Sequence, residues 1–122
     1  MRIEYLGGDD PDVAVIGGIH GDEPCGVRAI ERLLDQQPEV ERSVAFVIAN
    51  ERALDAGERY VEEDLNRVFP GDHNGDTHES RLAARIREEI GHCTTLSMHA
   101  TQSSREMFAL VKDTEDLARR IC

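Results

Sequence analysis

Tryptophan is absent from this chain, and aromatic residues make up only 4% of its 122 residues. A core without large rings must be built mostly from Val, Ile, Leu and Ala. Long apolar runs are missing too. The longest, Val13 to Ile19, is far too short to span a bilayer. The opening Met1-Arg2-Ile3-Glu4-Tyr5 lacks the apolar stretch of a signal peptide. No membrane partner is expected, and a cytoplasmic location follows as the default.

Positive charge is scarce. Lys112 is the one lysine among 14 basic residues, against 25 acidic ones, and the net charge is −11. Such a chain is a poor partner for a nucleic-acid backbone. An acidic surface with Arg in place of Lys points to adaptation to high salt, although acidic residues also serve solubility alone. Cysteine is limited to Cys25, Cys93 and Cys122, an odd number with no C-x-x-C pair. Neither a disulfide framework nor a thiolate zinc site is indicated, and reduced structural thiols are expected.

What is present suits one domain with a modest core. Val13-Ala14-Val15-Ile16 reads as a buried strand ended by Gly17 and Gly18, with Arg2 to Leu6 as a neighbouring strand. A helix follows from about Pro24, which suits a first helical turn. Its apolar face is Val27, Ile30, Leu33 and Leu34. Ser43 to Ala49 reads as a second buried strand. Residues 50 to 76 form a long polar stretch, of a length that is usually functional or disordered. The next helix, about Thr77 to Ile90, buries Leu82, Ala83, Ile86 and Ile90, with Asp76 and Glu79 as a capping box. Thr94 to Met98 reads as a third buried strand and Met107 to Val111 as a fourth. A last helix starts near Asp113 or Thr114. Alternating strands and helices predict an α/β class: a mostly parallel mixed sheet flanked by helices. Ligands bind beyond the carboxyl ends of such strands, where His20 and His99 fall.

Three segments carry chemistry. In Gly18-Ile19-His20-Gly21-Asp22-Glu23-Pro24, a His and a Glu lie one helical turn apart and can grip one ion. Zinc accepts both ligand types, and a catalytic site keeps one position open beside three protein ligands. The same residues also suit an ordinary first helical turn with a capping carboxylate. The second segment runs from Arg59 to Gly71. Asn66 and Arg67 can clamp a carboxylate, because a guanidinium fork matches it in two bonds. Arg59 can face negative charge developing on a carbonyl oxygen. A solvated loop with its arginines paired to Glu62, Glu63 and Asp64 is the plainer alternative. The third segment is Leu96-Ser97-Met98-His99-Ala100-Thr101. A lone His after a strand is more often structural than ligating, and His73, His78 and His92 compete for the role on composition alone.

Taken in order, these segments resemble the succinylglutamate desuccinylase and aspartoacylase family, within the zinc carboxypeptidase-like (phosphorylase/hydrolase-like) fold group. The matching strings are Gly-x-His-Gly-Asp-Glu, then Arg followed by Asp-Leu-Asn-Arg-x-Phe-Pro-Gly, then x-x-His-x-Thr after a strand. The resemblance runs from about Val13 to Val111. It implies one Zn2+ per chain held by His20, Glu23 and His99. It also implies that Arg59 polarises the scissile carbonyl, that Asn66 and Arg67 bind the substrate carboxylate, and that Asp64 buttresses the group. The implied reaction is metal-assisted hydrolysis of the amide bond of a small N-acyl amino acid.

Two departures stand out. The family's Asp two residues before the third ligand is Ser97 here, which can still hydrogen-bond but carries no charge. The family's general-base Glu lies on a later strand and is not matched before Cys122, since Glu106 is not at that position. The expectation is therefore a single catalytic domain over residues 1–122, truncated or incomplete at its C-terminus. A shortened sheet would leave an unpaired edge and invite homo-oligomers. A metallocarboxypeptidase-like peptidase and a non-catalytic module binding metal or carboxylate remain as alternatives.

Overall fold

Alternation along the strands sets the layers. In the computed structural model, which describes residues 1–101, strands β1 (Arg2–Leu6), β2 (Val13–Gly17), β3 (Val44–Ile48) and β4 (Thr94–Ser97) form one sheet in the order β1-β3-β2-β4. β2 pairs in parallel with both β3 and β4, and β1 runs antiparallel to β3. The expected class, a mostly parallel mixed α/β sheet, is what the chain adopts.

Side chains at alternate positions face opposite layers. Ala14, Ile16, Ala45 and Val47 face one core, shared with Leu65, Leu82, Ala83, Ile86 and Ile90. Phe46 and Ile48 face the other with Ile30, flanked by Val15, Val27, Leu34 and Leu54. Helix α1 (Cys25–Gln36) covers this second face. Its anchor is Ile30, fully buried, a burial that contributes roughly 1.5–3 kcal/mol. Helix α4 (His78–Ile90) covers the first face, burying Leu82, Ala83, Ile86 and Ile90 as the periodicity predicts.

Several expectations are corrected. Arg2–Leu6 neighbours β3 rather than β2, because the antiparallel register Arg2↔Ile48 to Leu6↔Val44 places β1 at the outer edge. Leu33 is exposed, since the helix face turned to the sheet centres on Ile30. The residues of β4 are exposed rather than buried, because β4 is the other edge strand among the described residues. The stretch 50–76 is not one loop. It holds α2 (Glu51–Ala56), capped by the Asn50 side chain, and α3 (Leu65–Val68), capped by Asp64. The cap of α4 is Thr77, whose side chain accepts from the Ser80 N–H, so no Asp76–Glu79 capping box forms. The expected strand Met107–Val111 and the helix from Asp113 or Thr114 lie outside the described residues, as do Glu106 and Cys122.

The carboxyl end of β2 is where the chain elements converge. At the end of the strand and just past it, the Gly17 and Gly18 carbonyls accept from the Ala49 and Asn50 N–H groups at 3.0 and 2.9 Å. The Met98 N–H donates to the Ile16 carbonyl at 2.8 Å. These bonds hold the segments after β2, β3 and β4 side by side. Gly17 lies so close to Gly26 that a Cβ would meet its carbonyl carbon at 2.8 Å, so α1 can start tightly against the strand.

Candidate metal centre

His20, Glu23 and His99 meet beyond the ends of β2 and β4. One ligating atom from each lies within 4.8 Å of the others, and donors this close can share one ion. His20 is 2% exposed, seated by the turn in which the Glu23 N–H donates to its carbonyl at 3.3 Å. Glu23 stands at the centre. Its Oε1 lies 2.9 Å from His20 Nδ1, and its Oε2 lies 3.1 Å from His99 Nδ1. The Ala100 N–H also donates to Oε2, at 2.8 Å. Burial by itself would raise the Glu23 carboxyl. The Ala100 N–H, the hydrogen bond and charge of His20, and His99 together bring it below its ordinary value.

The far sides of both rings are occupied. His20 Nε2 lies 3.1 Å from Asp64 Oδ1. A carboxylate only accepts, so Nε2 carries a proton and donates it. In the neutral ring, Nδ1 then turns a lone pair towards Glu23. A lone pair facing a carboxylate oxygen at 2.9 Å needs a proton or a cation between them. That chemistry fits a metal site. Ser97 Oγ lies 3.1 Å from His99 Nε2, so the serine in place of a carboxylate still engages the ring.

Arg59 closes the group from the solvent side, with its side chain 46% exposed. Its Nη1 donates to Glu23 Oε1 at 3.3 Å, and Nε and Nη2 donate to Asp64 Oδ2 at 3.4 Å. Asp64 thus bridges His20 and Arg59 while its Oδ1 accepts the Asn66 N–H at 3.0 Å. Burial would raise the Asp64 carboxyl. The His20 bond, the Asn66 N–H and the nearby charges of His20 and Arg59 outweigh it and lower it. Asn66 and Arg67 sit on α3 immediately after this cap and are exposed. Among the described residues, no ion pair engages Arg67.

The other histidines stand apart. His78 Nε2 faces Asn50 Oδ1 at 3.2 Å, His73 pairs with Glu88 at 3.5 Å, and His92 faces the Cys93 sulfur at 3.6 Å. Two buried polar residues have roles that the sequence does not show. They are Asn50, which caps α2, and Glu79, which accepts four hydrogen bonds inside the molecule. One signal for Glu79 was available: it is in register with the apolar stripe of its own helix.

The fold and the donor set define an α/β domain with a candidate metal centre at the carboxyl edge of a mostly parallel sheet. The chain belongs to the succinylglutamate desuccinylase/aspartoacylase family, whose catalytic domain it matches over residues 9–120. A succinylglutamate desuccinylase from Idiomarina loihiensis is 29% identical over 101 residues, covering 80% of this chain and 29% of that protein. A probable aspartoacylase from a Nostoc strain is 27% identical over 124 residues, covering 90% of this chain and 42% of that protein. The crystal structure of a succinylglutamate desuccinylase/aspartoacylase from Rhodobacter sphaeroides matches with a TM-score of 0.70 and 32% identity. That match covers 80% of this chain and 32% of the other. The chain thus spans less than half the length of these relatives. No helix among the described residues is long and apolar enough to cross a membrane.

Proposed function

We propose that this chain carries the metal-binding and carboxylate-binding part of a zinc-dependent deacylase that hydrolyses the amide bond of a small N-acyl amino acid. The observation that carries the reading is the convergence of His20, Glu23 and His99, with the outer nitrogen of His20 held by Asp64. When bound, zinc supplies Lewis acidity that polarises the amide carbonyl and acidifies a water to a pKa of about 7.

The chain's own residues do the rest. Asp64 holds the proton of His20 at Nε2, which keeps Nδ1 available as a ligand. Ser97 steadies His99 from its other side. Arg59 lies beside Glu23 and is half exposed, so its guanidinium can approach a carbonyl oxygen on which negative charge develops. Asn66 and Arg67, exposed on α3, offer an amide and a planar fork to the substrate carboxylate.

The test is a hydrolysis and binding screen with N-succinylglutamate, N-acylaspartates and related compounds. It is run on the zinc-loaded chain and on a form extended to the length of its relatives. Binding that requires the free carboxylate, with amine released by the extended form, is expected. If neither form binds or cleaves any N-acyl amino acid, the reading is wrong. Cleavage confined to peptides would favour a carboxypeptidase-like activity. Zinc bound without turnover in both forms would favour a non-catalytic module.

A further inference from the structure

Glu79 is a fully buried carboxylate that the metal centre does not touch. It stands in the first turn of α4, on the same stripe as Leu82, Ala83, Ile86 and Ile90. A charge on such a stripe is costly unless hydrogen bonds compensate it. Here they do. Oε1 accepts from the Val61 N–H at 2.7 Å and from Asn50 Nδ2 at 3.0 Å. Oε2 accepts from the Glu62 and Glu63 N–H groups at 3.2 and 3.3 Å. The contacts are returned from the other side: the Glu62 carboxylate accepts the His78 N–H, and the Glu63 carboxylate accepts the Thr77 hydroxyl.

Helix capping does not require this residue, because Thr77 already caps α4. The feature it serves is the segment from Gly57 to Asp64, which has no helix or strand of its own. Three successive N–H groups of that segment have Glu79 as their acceptor. Arg59 precedes these residues, and Asp64, Asn66 and Arg67 follow them. A shift of the segment by an ångström would move every one of these groups relative to His20, Glu23 and His99. Positional errors of that size are enough to weaken a site.

We propose that Glu79 is a positioning residue: its buried carboxylate fixes the irregular segment that runs from Gly57 to Asp64 into α3, and so aims the carboxylate-binding side of the site at the metal centre. What the segment binds rests on the proposed function, whereas the grip itself does not. The carboxylate is suited to this because it only accepts and can take several N–H bonds at once. A glutamine of the same shape would turn an NH2 towards N–H donors.

Amide hydrogen exchange on the zinc-loaded full chain tests the grip. In the wild type, the Val61, Glu62 and Glu63 amides are expected to be protected as strongly as those of β2 and β3, despite lying in irregular structure. Exchange there at the rate of exposed loop amides would overturn the proposal without any variant. In Glu79→Gln, exchange at these three positions should rise about tenfold or more, the change one lost charge-assisted bond brings. Protection of β2 and β3 should be retained, and N-succinylglutamate binding should weaken by a similar factor. A rise spread equally over β2 and β3 would make Glu79 a general stabiliser and contradict the proposal. Protected 61–63 amides in a wild type that binds no N-acyl amino acid would support the grip and count against the proposed function.

Discussion

Nε2 of the buried His20 donates a hydrogen bond to Oδ1 of Asp64 at 3.1 Å, across 44 residues of chain. The bond sets the tautomer of the ring, and it comes from the same loop motif that presents Asn66 and Arg67. His20 and the segment that carries Asn66 and Arg67 are therefore joined through one carboxylate. Asp64→Asn should separate its two roles. Asparagine is as good a helix cap as aspartate, so α3 should persist. The negative charge behind His20 is lost, and zinc affinity should fall by roughly 10–100-fold. A competition titration with a zinc-binding dye measures this, and an unchanged affinity would refute the role given to Asp64.

The sequence was most legible where side-chain periodicity decides the outcome. The expected strands Val13–Ile16 and Ser43–Ala49 and the Leu82-Ala83-Ile86-Ile90 stripe are each set by burial; the strands form over Val13–Gly17 and Val44–Ile48, and the stripe is buried as the pattern predicts. Pairing order was not legible: nothing within Arg2–Leu6 says whether it lies against β2 or β3, a choice made by contacts distant in sequence. The short helices α2 and α3 were hidden because each buries only one or two apolar residues, Ala53 and Leu54 in α2 and Leu65 and Val68 in α3, too few for a helical periodicity to show, and side-chain caps from Asn50 and Asp64 set where they start. Local spacing suggested that His20 and Glu23 belong together. Only the order of three motifs linked them to His99, and the structure brings all three together. Glu79 fits a capping box in the sequence because Glu is common near a helix start, and only three-dimensional packing reveals that it points inward.

Gly21 is a test of how closely the metal turn and the Arg59 segment are packed. A Cβ at this position would run into the Ala53 carbonyl and come within 2.5 Å of the Glu58 carbonyl oxygen. The Gly21 N–H also donates to the Arg59 carbonyl at 3.3 Å. Gly21→Ala should therefore push the turn away from both α2 and the Arg59 segment and destabilise the fold by about 1–3 kcal/mol. Urea unfolding gives the value, and a variant as stable as the wild type would show that the two segments are less closely packed than described.

Acid should loosen the grip of Glu79. Burial alone would raise its carboxyl, but the Val61 N–H, the Asn50 amide and the Glu63 and Glu62 N–H groups bring it below its ordinary 4.5. A carboxyl depressed by folding stabilises the native state above its unfolded value. That stabilisation is lost as pH falls through the lowered folded value. The stability difference between wild type and Glu79→Gln should therefore be largest near neutral pH and shrink below about pH 4.5. Denaturant melts between pH 7 and pH 3 measure it. A difference that stays constant or widens towards acid would contradict this account.

Net charge makes a separate prediction. At −11 the chain repels itself, and added salt shortens the range of that repulsion from about 10 Å at 0.1 M to about 3 Å at 1 M. Tm should rise with KCl over this range. No gain at molar salt would count against adaptation to high salt.

The central claim is that His20, Glu23 and His99 hold one zinc ion. Metal analysis of wild type and His99→Ala after equilibration with limiting Zn2+ tests it most directly. His99 is a partly exposed residue at the edge of the sheet, so its loss should leave the fold intact. The account predicts about one zinc per wild-type chain and a large loss of occupancy in the variant, since a three-ligand catalytic site cannot spare a donor. Equal occupancy in the two proteins would contradict it.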